Sequence, residues 1–136
     1  MKKINCTLVV EDDAITTLII KKTLEKHTSF DKIYTAKNGR EALDWVQACA
    51  ARQETLPNLI LLDLNMPVMD GWEFLEAFKI MTLAQKVGII ILSSSIDQAD
   101  LERARTYSLV KGYFAKPLTE EKLDETLEIM NQFYTH

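Results

Sequence analysis

Short apolar runs alternate with longer amphipathic segments along the chain. Five runs have the length of strands and are bounded by polar residues, at positions 4–10, 32–36, 59–62, 89–92 and 113–115. In the segments that follow them, apolar residues recur every three or four positions, which predicts helices over 14–27, 38–52, 71–81, 95–107 and from 119 onward. The pattern therefore predicts a strand followed by a helix, five times over.

Polar caps and apolar stripes indicate how these helices begin and which faces they bury. Ser95 and Gln98 have the spacing of a capping box, and Thr119 is placed to cap the last helix, with Leu118 and Leu123 as a hydrophobic staple. The predicted apolar faces are Ile15, Leu18 and Ile19 in the first helix, Ala42, Val46, Cys49 and Ala50 in the second, and Leu123, Leu127, Met130 and Tyr134 in the last. We expect these faces to pack against a sheet.

Strands that are joined by helical crossovers lie parallel to each other in a sheet. The runs "LILL" and "IIIL" are apolar throughout and do not alternate with polar residues. This is typical of parallel strands that are covered by helices on both faces. The predicted fold class is therefore α/β, with a doubly wound five-stranded parallel sheet.

Composition narrows the class of protein. The chain has 136 residues, which favours one domain, and its net charge of −4 argues against nucleic acid as a direct partner. The basic N-terminus leads into only a short apolar run, and no stretch approaches ~18 apolar residues, so we expect no secretory signal, no membrane span and a cytoplasmic location. Cys6 and Cys49 lack metal-ligand spacing and are expected to be reduced core residues.

Chemically active side chains follow four of the five predicted strands. Glu11 and Asp12 come after the first strand, Asp63 after the third, Ser93 after the fourth and Lys116 after the fifth. Each of them alone is explained equally well as a helix cap or a loop residue. Because parallel strands place their carboxyl ends on one edge of the sheet, where such folds bind ligands, the combination predicts a composed site.

The charges of this site indicate what it binds. Glu11, Asp12 and Asp63 bring three negative charges and Lys116 returns one positive charge, so either a carboxylate is protonated or a cation binds. Carboxylate oxygens suit Mg²⁺. Such an ion, Lys116 and the Ser93 hydroxyl would together form a seat for phosphate, whereas the glycines of the chain form no phosphate-binding loop.

Taken in order, four segments resemble the receiver domain of two-component response regulators. The segments are "LVVEDD", "LILLDLNMPVMDGWEF", "IIILSSS" and "GYFAKPL", and the resemblance covers essentially the whole chain. It implies a flavodoxin-like sheet with strand order 2-1-3-4-5 and a single, stand-alone receiver domain over residues 1–136. It also implies the chemotaxis-type organisation, in which the receiver acts without an attached output domain.

The resemblance implies a role for each residue of the acidic site. Asp63 is the phosphoacceptor and takes a phosphoryl group from a sensor histidine kinase or a histidine phosphotransfer protein. Asp12 ligates Mg²⁺ directly, Glu11 through water, and the Asn65 backbone carbonyl joins the Asp63 carboxylate as a further ligand. Mn²⁺ is the alternative ion. Asp13 is expected to start the first helix and not to bind metal.

The resemblance also implies how the signal leaves the site. Ser93 and Lys116 contact the phosphoryl group, and Ser93 and Tyr113 are the switch residues. The output is expected to be onward phosphotransfer or a downstream protein bound on the face of the fourth helix, fifth strand and fifth helix, because little chain follows the last helix. The chain is expected to dephosphorylate itself and not to act as a turnover enzyme, with the side chains of Asn65 and Ser95 tuning the rate.

Three further features are expected or unusual for the family. The peptide bond between Lys116 and Pro117 is expected to be cis. The stretch "YSLVKGYF" replaces the usual small-residue turn before the last strand, which makes that loop bulkier. The stretch "KIMTLAQKVGIII" lacks the common proline before the fourth strand.

Three alternative functions differ from the receiver in single features. A haloacid-dehalogenase-like phosphatase needs a second acid two places after its nucleophile, where this chain has Asn65. A pseudo-receiver would serve only as a docking module, against which the complete set of acids, serine and lysine argues. An FMN-binding flavodoxin would have a Ser/Thr-rich first loop, where this chain has the acids Glu11 to Asp13.

Overall fold

The structure is a computed structural model that describes residues 3–135. The strands are β1 (Ile4–Val10), β2 (Phe30–Ala36), β3 (Leu59–Leu62), β4 (Gly88–Ser93) and β5 (Val110–Ala115). The helices are α1 (Ala14–Lys26), α2 (Gly39–Ala51), α3 (Gly71–Phe78), α4 (Gln98–Arg105) and α5 (Glu120–Thr135). All neighbouring strands are parallel in the order β2-β1-β3-β4-β5, so the predicted fold class and strand order are confirmed.

The order in which strands are added to the sheet reverses between β1 and β3. The chain passes from β1 to the edge strand β2 and then returns to the other side of β1. In this register Val10 lies opposite Leu62, and Leu62 lies opposite Ile91. The residues that follow β1 and β3 therefore emerge side by side at the point where parallel α/β sheets bind ligands.

Helices cover both faces of the sheet and divide the core into two layers. On one face α2, α3 and α4 pack over side chains that include Leu8, Ile60 and Ile91. On the other face α1 and α5 pack over Val9 and Leu61. Strand β3 is buried at every position, as the uninterrupted apolar run predicted. Each fully buried Leu or Ile contributes about 1.5–3 kcal/mol of hydrophobic stabilisation.

Helix α1 is rotated relative to the sequence prediction. Ile15, Leu18 and Ile19 are 70%, 52% and 53% exposed, and the buried residues are Ile20 and Leu24. The prediction that the first three form a buried face is therefore wrong. Apolar residues occur nearly all round this helix, so their spacing alone does not select the side that faces the sheet.

Helix α2 buries most of its predicted stripe. Ala42, Val46 and Cys49 are buried, but Ala50 is exposed, and Leu43 takes its place in the core. Leu43 and Ala50 are seven residues apart and therefore lie on the same side of the helix, but Ala50 is the next-to-last residue of α2, where the helix leaves the core. Both cysteines are buried and free, as predicted.

Several predicted boundaries differ from the structure. Strands β2 and β5 begin earlier than predicted, and α3 ends at Phe78, after which Thr82–Lys86 forms a 3₁₀ helix before β4. Helix α4 begins at Gln98, and its cap is Asp97, whose carboxylate accepts from the Ala99 N–H at 3.1 Å. The predicted capping box at Ser95 is therefore wrong: the Ser95 hydroxyl accepts from the Asp97 N–H and shapes the loop instead.

The last helix begins as predicted. The Thr119 hydroxyl accepts from the Lys122 N–H at 3.2 Å, and Leu118 and Leu123 are buried in the same cluster. The Lys116–Pro117 peptide bond is cis, as expected. The bulkier loop before β5 is accommodated because Tyr107 and Leu109 pack into the core. Within residues 3–135, no helix combines the length and apolar character needed to cross a membrane.

Candidate functional site

Three acidic side chains meet at the carboxyl edge of β1 and β3. Glu11 and Asp63 are buried, Asp12 is exposed, and one carboxylate oxygen from each lies within 4.8 Å of the others. The Glu11 N–H donates to the Ala36 carbonyl and the Asp63 N–H donates to the Val10 carbonyl, each at 3.0 Å. Both backbones thus continue the hydrogen bonding of the sheet by one residue, which fixes where the two carboxylates start.

The turn after Asp63 is held by the beginning of α3. The Gly71 N–H donates to the Leu64 carbonyl at 3.0 Å, and a Cβ at Gly71 would lie 2.6 Å from the Asp63 carbonyl oxygen. A glycine is therefore required for this close approach. Asp70 and Glu73 form a capping box that starts the helix at this point. The segment "DG" in the motif thus sets the position of Asp63.

Lys116 brings its ammonium group into the acidic cluster. Its Nζ lies 2.5 Å from a Glu11 oxygen and 3.5 Å from an Asp63 oxygen. The Lys116 N–H donates to the Ser93 carbonyl at 2.8 Å, so the lysine backbone is held at the end of the β4–β5 ladder. The predicted meeting of acids and lysine from distant parts of the chain is therefore present.

Burial and like charge shift the protonation of Asp63. Burial of its carboxylate, followed by the negative charge of Glu11, raises the pKa of Asp63 to about 6, although Lys116 opposes the shift. Burial alone would lower the pKa of the Lys116 ammonium, but its hydrogen bond to Glu11 and the charge of Asp63 raise it. Lys116 therefore stays positively charged, but its single charge does not neutralise the negative charges of the three acids.

The two predicted switch residues converge on Ser95. The buried Ser93 hydroxyl accepts from the Ser95 N–H at 3.1 Å, and the Tyr113 hydroxyl donates to the Ser95 carbonyl at 3.0 Å. Tyr113 itself is half-buried. Ser95 therefore connects the side chain of the last residue of β4 to the aromatic ring on β5.

Asn65 and Asp13 take different places at the edge of the site. The backbone N–H of Asn65 acts on the Asp63 carboxyl to lower its pKa and so favours its charged form. The role of the Asn65 carbonyl as a metal ligand stays a prediction. Asp13 caps α1 by accepting from the Thr16 N–H at 2.9 Å, so its expected place at the start of the first helix is confirmed.

One residue at the site was not found from the sequence. The Lys122 ammonium donates to the carbonyls of Ala115 and Pro117, the neighbours of Lys116 on either side. The sequence did contain a signal for this residue. Lys122 is the third residue of the helix, where a capping box has Glu or Gln, so a lysine at this position is unusual and indicates another role.

Comparison with known proteins identifies the family. The family model described as "Response regulator receiver domain" matches residues 7–128, and the chain belongs to this family. A two component response regulator from Cytophaga hutchinsonii has a similar structure, with a TM-score of 0.88 at 27% identity over 98% of this chain and 99% of that one.

Relatives of different length share this domain. The "Probable chemotaxis protein CheY" of Rhizobium etli is 30% identical over 89% of this chain and 88% of its own length. The "Probable methanogenesis regulatory protein FilR2" of Methanothrix harundinacea is 30% identical over 93% of this chain and 81% of its own length. In contrast, the chain spans 34% of a protein-glutamate methylesterase/protein-glutamine glutaminase of Methanococcoides burtonii. The similarity to that enzyme is confined to one part of it.

Proposed function

We propose that this receiver domain is a phosphoacceptor, in which Asp63 takes a phosphoryl group from a sensor histidine kinase or a histidine phosphotransfer protein. The observation that carries the proposal is the position of Asp63. Asp63 is 5% exposed directly after a central strand, with oxygen atoms of Glu11 and Asp12 within 4.8 Å and the Lys116 ammonium 3.5 Å away. The negative charge of this buried carboxylate is only partly neutralised by neighbouring groups. Such a group is a candidate nucleophile for an electrophile that binds together with a cation.

The residues of the acidic cluster fit Mg²⁺, with Mn²⁺ as the alternative ion. Glu11, Asp12 and Asp63 offer hard oxygen ligands within 4.8 Å of each other. Burial and then the negative charge of Glu11 raise the pKa of Asp63, and a bound cation would offset both effects. The Asn65 carbonyl is the proposed backbone ligand. When bound, the ion supplies positive charge to the phosphoryl oxygens.

The chain itself supplies the nucleophile and its alignment. An Asp63 carboxylate oxygen forms the bond to phosphorus as the bond from phosphorus to the donor imidazole breaks, and the electron pair of that bond stays with the imidazole nitrogen. Lys116 balances charge on the transferred group, and the backbone contacts of Asp63 hold the attacking oxygen in place. Few covalent steps are required of the protein, so positioning and electrostatics account for the catalysis.

Phosphorylation then changes the loop between β4 and α4. The new acyl phosphate adds roughly one negative charge beside Lys116. The Ser93 hydroxyl is proposed to leave the Ser95 N–H and donate to the phosphoryl group, and Tyr113 to give up the Ser95 carbonyl. These changes alter the face formed by α4, β5 and α5, which is proposed to bind a downstream protein.

Labelling by acetyl phosphate tests this function. The chain is incubated with acetyl phosphate and Mg²⁺, and intact mass is used to detect a base-labile, acid-stable phosphate. We expect wild type to be labelled once and Asp63→Asn not at all. Equal labelling of the two proteins would show that the phosphoacceptor lies elsewhere, and no labelling of either would favour a docking module without phosphotransfer.

Turnover distinguishes this function from that of a phosphatase. We propose that the chain is not a turnover enzyme and that it hydrolyses its own aspartyl phosphate. A chromogenic phosphate ester should therefore not be cleaved through many cycles. Repeated cleavage that depends on Asp63 would instead support a haloacid-dehalogenase-like activity.

A further inference from the structure

Lys122 contacts the backbone on both sides of Lys116. Its Nζ donates to the Ala115 carbonyl at 2.5 Å and to the Pro117 carbonyl at 2.9 Å. The side chain is partly buried where α5 begins. One ammonium group thus connects the last residue of β5 to the residue after Lys116.

This lysine occupies a position where helices favour the opposite charge. Thr119 caps α5 by accepting from the Lys122 N–H, so Lys122 is the third residue of the helix. Acidic side chains are favoured in a first turn because the helix dipole is positive there, and Glu120 and Glu121 follow that preference. A cation at this position weakens the helix slightly, so the stability of α5 does not explain Lys122.

The segment that Lys122 holds is the one that presents the lysine of the acidic site. The Lys116 N–H is fixed by the Ser93 carbonyl, and Lys122 fixes the carbonyls before and after it. With its backbone restrained in this way, the Lys116 side chain reaches Glu11 at 2.5 Å and Asp63 at 3.5 Å.

We infer that Lys122 is a positioning residue for phosphotransfer, which acts by holding the backbone that aims Lys116 at Asp63. The inference rests on the proposed phosphoacceptor function. Loss of the ammonium group releases two carbonyls from a charge-assisted donor, and the loop that carries Lys116 then relaxes. Because phosphotransfer depends on alignment, even a small displacement of Lys116 slows it.

The test measures initial rates of labelling by acetyl phosphate and Mg²⁺. We expect Lys122→Met to slow labelling about tenfold, since misalignment by a fraction of an ångström costs on that order. Lys122→Arg keeps a charged donor and should recover most of the rate. Lys32→Met serves as the charge-matched control, because Lys32 is exposed on β2 and pairs with Cys6, far from the carboxyl edge. It should label like wild type.

A double-mutant cycle separates positioning from general destabilisation. If Lys122 acts through Lys116, then Lys122→Met has no further effect on the residual labelling rate of Lys116→Met. Wild-type labelling by Lys122→Met, or an equal slowing in both backgrounds, would overturn the inference. If Lys122→Met does not fold, the same double-mutant cycle is measured with Lys122→Gln. The glutamine side chain is too short to bridge both carbonyls. Labelling of wild type but not of Asp63→Asn shows that the phosphoacceptor function holds whichever way Lys122 behaves.

Discussion

At the scale of single residues, the acidic site holds negative charge in a buried position, which is energetically unfavourable. Asp63 is buried beside Glu11, and both effects raise its pKa to about 6. Lys116 relieves part of this unfavourable charge through contacts with both acids. The site therefore carries an electrostatic cost that a bound cation would relieve.

This cost predicts that Asp63→Asn stabilises the chain in the absence of divalent ions. An acid whose pKa is raised from 3.8 to about 6 binds its proton more tightly when folded, so its contribution to stability falls as pH rises through that window. At one pKa unit per about 1.4 kcal/mol, Asp63→Asn should raise the free energy of unfolding by roughly 2–3 kcal/mol at neutral pH.

Urea unfolding in EDTA at pH 7.5 and at pH 5 measures this effect. The advantage of the variant should shrink at the lower pH, because folded Asp63 is then mostly protonated. Added Mg²⁺ should stabilise wild type and narrow the difference. An Asp63→Asn variant that is less stable than wild type at neutral pH would contradict the raised pKa.

At the scale of elements, the site depends on how each helix begins and on which side it packs. Helix α3 starts against the Asp63 turn, α4 starts after the Ser93 loop, and α5 starts after Lys116. Helix α4 has Ala104 as its buried residue, so contacts at its C-terminal end matter for its position. Three sets of substitutions test this description.

Gly71→Ala should disturb the turn that follows Asp63. Its Cβ would lie 2.6 Å from the Asp63 carbonyl oxygen and 2.9 Å from the Leu64 Cα, and backbone atoms cannot move aside easily. We expect the free energy of unfolding to fall by about 1–3 kcal/mol, as it does when a core is overpacked. Labelling by acetyl phosphate should also be slower. Gly112→Ala is the matched control, because its Cβ would meet the mobile tips of Ile90 and Ile129. Equal effects of the two substitutions on labelling would contradict the role given to Gly71.

The rotation of α1 predicts opposite results for neighbouring apolar residues. Ile20 is 3% exposed, so Ile20→Ala should destabilise the chain by about 2–4 kcal/mol through the cavity it leaves. Leu18 is 52% exposed, so Leu18→Ser should change stability by less than about 0.5 kcal/mol. Chemical denaturation of both variants decides between the structure and the face suggested by helical spacing. A larger loss for Leu18→Ser would favour the latter.

A hydrogen bond between α3 and the end of α4 should position α4. The Tyr107 hydroxyl donates to a Glu76 oxygen at 2.5 Å, and Arg103 lies 4.3 Å from the centre of the Trp72 ring that stacks with Tyr107. Because Glu76 is about half exposed, Tyr107→Phe should lower the free energy of unfolding by only about 1 kcal/mol. Urea unfolding of Tyr107→Phe, Glu76→Gln and the double variant measures the coupling. Strict additivity would mean that the bond contributes nothing.

At the scale of the whole molecule, the sheet and its acidic edge were predictable from the sequence because their signals are strong. Uninterrupted apolar runs mark buried parallel strands, and parallel strands bring Glu11, Asp63 and Lys116 to the same edge. The rotation of α1 was not predictable, because Ile15 and Ile20 are equally apolar and only packing distinguishes them.

Local contacts between side chains and the backbone of nearby loops were the second feature that could not be predicted from the sequence. The Asp97 cap was missed because Ser95 offered an equally suitable side chain two residues earlier. Lys122 was missed because its partners are backbone carbonyls, which every residue has. Such contacts depend on the path of a loop, which residue patterns do not specify.

Direct location of the phosphoryl group tests the central claim. The chain is phosphorylated by acetyl phosphate with Mg²⁺ and then treated with borohydride, which reduces an aspartyl phosphate to homoserine. Peptide mapping by mass spectrometry should find homoserine at position 63 and unchanged acids at positions 11 and 12. Homoserine at another acid, or phosphate that resists borohydride, would contradict the assignment of Asp63 as the phosphoacceptor.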